Sequence, residues 1–250
     1  MFRQAFFAAL LPLVLLCAGP VGSTVPSCPD TPDTVSPEAI PGALPRVAAA
    51  LNARKLEVLA IGSATVLGAR GQPEGSFSDR MVQDMRQAMP GADIRLTVQG
   101  GRGMTAAGML ALLRRQLAGK EFALVVWQTG TVEAAFRMPP EEFARILDAG
   151  ADAVRAAGAD LLLVDPQYSR VLQAHTTLGP YRETMQQAAR RHAAVLFRRF
   201  DLIRQWVEAG QLDLESAAKP EREKMAERLN ACLGQALAQT VMRAAGRVRS

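Results

Sequence analysis

Short apolar runs alternate with amphipathic segments over most of the chain. The runs predict five strands, at residues 56–61, 94–98, 122–127, 161–164 and 194–197. Between them, apolar residues recur at the spacing of a helix, which predicts helices at 45–54, 77–89, 105–117, 139–158, 181–191 and 222–245. Apolar strands that alternate with amphipathic helices indicate an α/β fold, with a parallel sheet covered by helices on both faces.

Parallel sheets of this kind bind ligands beyond the carboxyl ends of their strands. The strand assignments therefore direct attention to five connecting segments, at residues 62–75, 99–104, 128–138, 165–179 and 205–220.

The N-terminal region differs in composition from the rest. Residues 1–23 have the features of a signal peptide, with Arg3 before an apolar run that small residues follow. We expect an exported protein, periplasmic or secreted. Cys17 leaves open a lipid-modified leader, and an uncleaved leader would be a membrane tether; we expect no other membrane association. Residues 24–46 contain six prolines and predict an extended arm before a single domain at 47–250.

Removal of the leader leaves two cysteines, Cys28 and Cys232. In an exported protein this pair predicts a disulfide between the arm and the last helix. The alternative is two separate buried thiols.

Composition limits the function classes. The chain of 250 residues is 49% hydrophobic and 21% charged, which is typical of a globular domain. The net charge of +5 comes from basic residues scattered along helices, without interleaved aromatic residues, so we expect no nucleic-acid partner. Two distant histidines and no clustered thiols or carboxylates give no support for a metal site.

Glycine-rich motifs follow the first three predicted strands. The first motif reads Gly62-Ser63-Ala64-Thr65-Val66-Leu67-Gly68, the second contains Gly103-Met104-Thr105-Ala106-Ala107, and the third reads Trp127-Gln128-Thr129-Gly130-Thr131. In order and spacing these segments resemble the SGNH (GDSL-type) hydrolases, over about residues 56–245. The resemblance implies a flavodoxin-like three-layer sandwich with a central five-stranded parallel sheet, and the activity of an esterase, lipase or carbohydrate deacetylase.

The resemblance also implies where catalytic residues should stand. The family uses a serine nucleophile, an oxyanion hole completed by a glycine and an asparagine, and an Asp-x-x-His motif before the last helix. Residue by residue, these positions fall on Ala64 (nucleophile), Gly103 (oxyanion glycine), Val132 (asparagine), Glu221 (aspartate) and Lys224 (histidine). Loss of one triad member costs about four to six orders of magnitude in rate, and loss of one oxyanion donor about two to three. We therefore predict a catalytically inactive member of the family that needs no cofactor.

Other residues could restore catalysis. Ser63 is an alternative nucleophile if the turn is shifted by one residue, and it would need a non-standard base. His175, in the segment after the fourth strand, is more typical of a solvated side chain, and His192 is more typical of a helix cap. Lys224 is a base only if desolvated. Asp213 and Glu215 are acids before the last helix, but Ser216 stands where the Asp-x-x-His spacing needs a histidine.

Four arginines fall on the predicted carboxyl edge: Arg70, Arg102, Arg137 and Arg170. Guanidinium groups bind carboxylates and phosphates through paired hydrogen bonds, so an anionic glycan, a lipid head group or an envelope protein is a candidate partner. The alternative is that these arginines only face solvent. The sequence thus predicts a binding or accessory protein of envelope glycan or lipid metabolism. The alternative is an active carboxylester hydrolase or carbohydrate deacetylase that uses Ser63.

Overall fold

The computed structural model describes residues 27–32, 36–68 and 72–247. The predicted signal peptide and Arg70 lie outside these residues. Within them, the chain alternates between strands and helices, as the apolar pattern predicts.

The sheet has five strands, all parallel, in the order β2-β1-β3-β4-β5. Their bounds are β1 Lys55–Gly62, β2 Asp93–Gly100, β3 Leu124–Gln128, β4 Asp160–Val164 and β5 Val195–Phe197. All five predicted strands are confirmed, each within about two residues of its predicted ends.

Nine α-helices connect and cover the strands in the described residues. They are α1 Pro45–Asn52, α2 Phe77–Ala88, α3 Ala106–Gly119, α4 Thr131–Ala135, α5 Pro140–Ala156, α6 Arg170–His175, α7 Gly179–Arg191, α8 Arg199–Glu208 and α9 Arg222–Ala244. Three of these helices were not predicted from the apolar pattern. The short helices α4 and α6 lie within predicted connecting segments, and α8 begins before the last of those segments.

Two apolar layers sandwich the sheet. Along β1, Val58 and Ala60 face the cluster that α1, α2, α8 and α9 cover, whereas Leu59 and Ile61 face the cluster under α3, α5 and α7. Side chains of successive strand residues point to opposite faces, so a strand buried on both faces is apolar throughout. The predicted three-layer sandwich is therefore confirmed.

The proline-rich arm is docked on α9 rather than extended into solvent. Gly42 and Leu44 donate backbone hydrogen bonds to the carbonyl of Ala244, at 2.9 and 3.2 Å. The predicted disulfide joins Cys28 to Cys232, with the two Cα atoms 5.2 Å apart, so the alternative of two free thiols is wrong. Residues 38–46 of the arm lie beside the starts of β4 and β5, at the amino edge of the sheet.

Candidate functional site

The carboxyl edge of β1 carries the first glycine-rich motif. β1 ends at Gly62, and Ser63 precedes a 3₁₀ turn over Ala64–Leu67. A Cβ added at Gly100, opposite Gly62 in β2, would lie 2.1 Å from the Gly62 carbonyl oxygen. Only glycine permits this close approach, which fixes the Ser63 turn against the end of β2.

Ser63 is held by an amide from the neighbouring strand. Its side chain is buried, with 7% of the residue exposed. The Ser63 backbone N–H donates to Oε1 of Gln128 at 3.2 Å, and the Gln128 Nε2 donates to the Ser63 Oγ at 3.3 Å. A neutral carboxamide is not a base at physiological pH, so this contact does not activate the hydroxyl as a nucleophile.

Ala64 occupies the position that the family resemblance assigns to the nucleophile. It is the first residue of the 3₁₀ turn that follows β1, and it is half-buried. Its methyl group contains no atom able to attack a carbonyl. Thr65, the next hydroxyl along the turn, donates to the same Gln128 oxygen at 3.1 Å.

A buried arginine lies directly behind this turn. Arg199, the first residue of α8, is 1% exposed, and its Nη1 donates to the Thr65 hydroxyl at 3.2 Å. Its Nε donates to the backbone carbonyl of Asp165 at 3.1 Å. Both acceptors are neutral oxygens. Burial lowers the pKa of Arg199 to about 10, and the charge of nearby Asp165 opposes the shift. The guanidinium therefore stays charged and directs positive potential towards the Ser63 turn.

Asp165 balances part of this charge from the end of β4. Its carboxylate accepts from the Nε of Arg182 at 2.9 Å and from the backbone N–H of Phe200 at 2.9 Å. Arg182 also donates to Asp201, at 2.6 Å. Complete burial raises the pKa of Asp165 to about 6, although Arg182 and the Phe200 N–H act in the opposite direction.

Glu133 holds the loops after β2 and β3 together. It is fully buried and accepts from the backbone N–H of Ala106 at 2.5 Å and of Gly130 at 2.8 Å. The Thr129 hydroxyl donates to the same carboxylate at 3.1 Å. Because three donors surround it, Glu133 is a structural acceptor at the N-termini of α3 and α4. Val132, at the asparagine position, offers no side-chain donor.

Gly103 stands at the position that the resemblance assigns to the oxyanion glycine, and its backbone is left-handed. Its φ is +72°, and a Cβ added there would meet no atom within 4 Å. Gly103 is exposed to solvent. Arg102, immediately before it, is exposed.

The residues aligned with the acid and the base lie on the surface. The side chains of Glu221 and Lys224 are 60% and 77% exposed, and they pair with each other at 3.7 Å. Lys224 therefore lacks the desolvation that a lysine base requires.

The second acidic candidate binds an arginine instead of a histidine. Asp213 accepts two hydrogen bonds from Arg170, both at 2.9 Å, and one from the Ser216 hydroxyl at 2.7 Å. Partial burial opposes the shift, but these bonds lower the pKa of Asp213 to about 2. Glu215 lies 3.3 Å from the same guanidinium. The charge of Arg170 is thus neutralised within the protein.

Arg137 and His175 share a cavity. A space of about 320 Å³ beside α4 and α7 is lined by both residues, together with Thr176, Thr177 and Tyr181. Both Arg137 and His175 are exposed. The fold therefore brings together two polar residues that lie 38 positions apart in the sequence. His192 lies at the other edge of the sheet, where its Nε2 is 2.8 Å from the Asp148 carboxylate, so it is remote from this cavity.

Several site residues had no assigned role at the sequence level: Gln128, Asp165, Arg182 and Arg199. Gln128 lies within the third glycine-rich motif, but an amide there does not indicate a catalytic role. Asp165 directly follows a strand, which is the one sequence feature that could have identified it as a site residue. Arg199 is adjacent to Arg198 in the sequence, and nothing there indicates that the fold buries it. Among the described residues, no group of His, Cys, Asp and Glu could hold a metal ion, and no helix is long and apolar enough to cross a membrane.

Known structures share this fold at low sequence identity. A two-domain esterase active on acetylated mannans, co-crystallised with mannopentaose, is 15% identical with a TM-score of 0.64, over 85% of this chain and 57% of that one. A protein of the G-D-S-L family from Desulfitobacterium hafniense DCB-2 is 16% identical with a TM-score of 0.58, over 74% and 99%. The lipase/acylhydrolase from Enterococcus faecalis is 14% identical with a TM-score of 0.58, over 78% and 97%. No match was found among curated proteins.

At these identities the similarities show a shared fold. A family profile shows the relationship, and its non-GDSL description agrees with a Gly62-Ser63-Ala64 motif in place of Gly-Asp-Ser. The profile matches residues 27–247, which include the whole sheet and all nine helices, and the chain belongs to the Non-GDSL lipase-like family.

Proposed function

We propose that this protein has lost ester hydrolysis and uses the carboxyl edge of its sheet to bind an anionic glycan in the cell envelope. The observation that carries the proposal is the Ser63 turn. A methyl group occupies the nucleophile position, and the adjacent hydroxyl is bound to a carboxamide rather than to a base.

The remaining catalytic positions support the same conclusion. An ester hydrolase needs a base within about 2.6–3.2 Å of its nucleophile, directly or through one water. The aligned acid and base, Glu221 and Lys224, are an exposed surface pair. Asp213 is engaged by Arg170. None of these groups is poised to accept a proton from Ser63.

The charges of the site support an anionic ligand. Arg199 is buried behind the Ser63 turn with neutral hydrogen-bond acceptors, while Arg102 and Arg137 are exposed in the loops after β2 and β3. Exposed guanidinium groups favour carboxylates. The structural similarity to an esterase crystallised with a mannan oligosaccharide favours a glycan as the carrier of that charge.

Two features support an exported protein. Residues 1–23 have the pattern of a signal peptide, and the Cys28–Cys232 disulfide is typical of an oxidising compartment. An accessory role in envelope glycan metabolism fits a protein with a hydrolase fold and no hydrolase site.

The decisive experiment is an ester-hydrolysis assay with p-nitrophenyl acetate and butyrate. We expect the wild type and a Ser63→Ala variant to give the same rate, equal to the uncatalysed background. Turnover by the wild type that disappears in Ser63→Ala would establish the alternative, an active esterase or deacetylase.

An Ala64→Ser variant tests the base separately, because it restores the hydroxyl alone. Activity in Ala64→Ser would show that a base is present after all.

Ligand binding is tested by calorimetry with oligogalacturonates. We expect an Arg102→Ala, Arg137→Ala double variant to bind at least about tenfold more weakly, because each loses charge-assisted hydrogen bonds. The matched control is Arg114→Ala, Arg115→Ala, which removes two exposed arginines of α3 and the same net charge. Equal loss in both variants would indicate non-specific attraction, and binding of acidic lipid vesicles or an acidic protein alone would contradict the glycan.

A further inference from the structure

A second groove lies at the amino edge of the sheet, opposite the Ser63 turn. It has a volume of about 660 Å³ and runs between the docked arm at residues 38–46, the C-terminal ends of α5 and α7, and the starts of β4 and β5. Small-molecule sites usually measure about 300–1,000 Å³. The size therefore suits one small ligand.

The floor of this groove is apolar. Its lining includes Leu44, Val154, Leu161, Ala189 and Ala194, which belong to the two core layers and are each less than 9% exposed. Ile40 stands at the rim with 64% of its surface exposed. An apolar lining under a polar rim is the arrangement that binds a hydrocarbon chain.

The rim carries guanidinium groups without a close ion pair. Neither Arg46 nor Arg190 lies within 4 Å of a carboxylate oxygen among the residues that the structure covers, although the Asp160 carboxylate attracts Arg46 electrostatically. With the Gln186 amide turned so that its oxygen faces the donors around it, that neutral oxygen accepts from Arg190 at 3.2 Å. The third rim arginine, Arg155, pairs with Asp152 at 2.7 Å. Arg190, and Arg46 in part, thus remain for an anion.

The acidic groups of the groove have partners. Asp160 accepts from the backbone N–H of Val47 at 2.9 Å and so caps the N-terminus of α1. Glu38 accepts from Arg198 at 3.4 Å through Oε1, while its Oε2 is buried without a donor. The His192 ring is bound by Asp148 at 2.8 Å. Each of these groups therefore has at least one partner inside the protein, whereas Arg190 has no carboxylate within 4 Å among the described residues.

We propose that this groove binds a single-chain fatty carboxylate, with the acyl chain on the apolar floor and the carboxylate at the rim arginines. A glycan fits poorly, because its hydroxyls would cover apolar side chains without forming hydrogen bonds. A fatty carboxylate satisfies both features at once, since apolar burial and Arg–carboxylate bonds act on different parts of one molecule. The proposal is independent of the function proposed for the carboxyl edge.

The test is calorimetric titration of the purified protein, expressed from its full-length gene, with dodecanoate below its micellar concentration. We expect binding by the wild type and at least about tenfold weaker binding by an Arg46→Ala, Arg190→Ala variant. The Arg114→Ala, Arg115→Ala variant should stay within about twofold of the wild type. A third variant, Ala43→Phe, places a ring in the groove from a half-buried wall position and should weaken binding as well. Thermal melts of each variant confirm folding.

Three results would overturn the proposal. The first is no binding of dodecanoate by the wild type. The second is equal binding of dodecanol and dodecanoate, because an uncharged head group needs no arginine. The third is a dimer in solution that Ala43→Phe dissociates and that dodecanoate leaves intact, which would assign the groove to a second copy of this chain.

Discussion

At the scale of single residues, a few hydrogen bonds and one glycine turn order the carboxyl edge. Gly103 retains a left-handed backbone, and Glu133 ties two loops together through three hydrogen bonds. Ser63 retains a hydroxyl, but Gln128 occupies its hydrogen-bonding capacity.

The motif positions of Ala64 and Val132 could be predicted from the sequence, because they depend only on spacing from glycines. The environment of Arg199 could not be predicted, since its burial depends on where the fold places the start of α8 relative to the turn after β1. The same holds for Arg170: its residue type suggested a free cation, but Asp213 and Glu215 reach it from a loop 43 to 45 residues away.

The buried carboxyl of Asp165 gives a pH prediction. Its folded-state pKa of about 6 exceeds the 3.8 of an ordinary aspartate, so the folded protein binds this proton first as the pH falls. The wild type should therefore gain stability relative to Asp165→Asn as the pH falls from about 7 to 4, by about 3 kcal/mol at most.

Urea unfolding of both proteins at several pH values measures this difference. A free-energy difference that stays constant across the range would contradict the shift. Carbon-13 chemical shifts of the carboxyl provide a direct check, with a midpoint expected near pH 6.

At the scale of elements, the long amphipathic helices and all strands were predictable. Their apolar periodicity extends over several turns, and burial on one or both faces enforces it. The short helices were not predictable. α4 has five residues and α6 has six, so neither repeats its pattern, and tertiary contacts decide their conformation.

The contact between α2 and α9 gives a prediction at this scale. A Cβ added at Gly234 of α9 would lie 2.3 Å from the Cβ of Arg80 and 2.9 Å from the Phe77 carbonyl oxygen. We expect Gly234→Ala to destabilise the protein by about 1–3 kcal/mol, because the helices must separate and this outweighs the better helix propensity of alanine.

The matched control is Gly119→Ala at the end of α3, where an added Cβ meets no atom within 4 Å. Chemical denaturation should show little or no loss of stability for this variant. A Gly234→Ala protein as stable as the control would show that the two helices tolerate a wider spacing.

At the scale of the whole molecule, the N-terminal arm is joined to the last helix. The Cys28–Cys232 disulfide joins residues 204 positions apart, and the arm between Cys28 and β1 is hydrogen-bonded to the end of α9. The two ends of the domain therefore stabilise each other, and the arm forms one wall of the amino-edge groove.

Removal of this cross-link should lower stability. In the chain-entropy model a loop of this length contributes about 5 kcal/mol, so a Cys28→Ala, Cys232→Ala variant should melt at least about 5 °C below the wild type. Differential scanning calorimetry measures the shift. The wild type in a reducing agent should fall by a similar amount, and an unchanged Tm in both cases would mean that arm docking alone holds the ends together.

The sequence by itself determined the fold class, the strand order of appearance, the glycine turns and the absence of a hydroxyl at position 64. These features follow from local patterns, which apolar periodicity and backbone sterics impose on neighbouring residues. Only the tertiary structure decided that Gln128 binds Ser63 and that Arg170 is neutralised. It also decided that Arg137 and His175 line one cavity, and that an apolar groove lies under Arg46 and Arg190. Those relations join residues far apart in the chain, and they arise because burial and charge pairing depend on which surfaces the packed elements bring together.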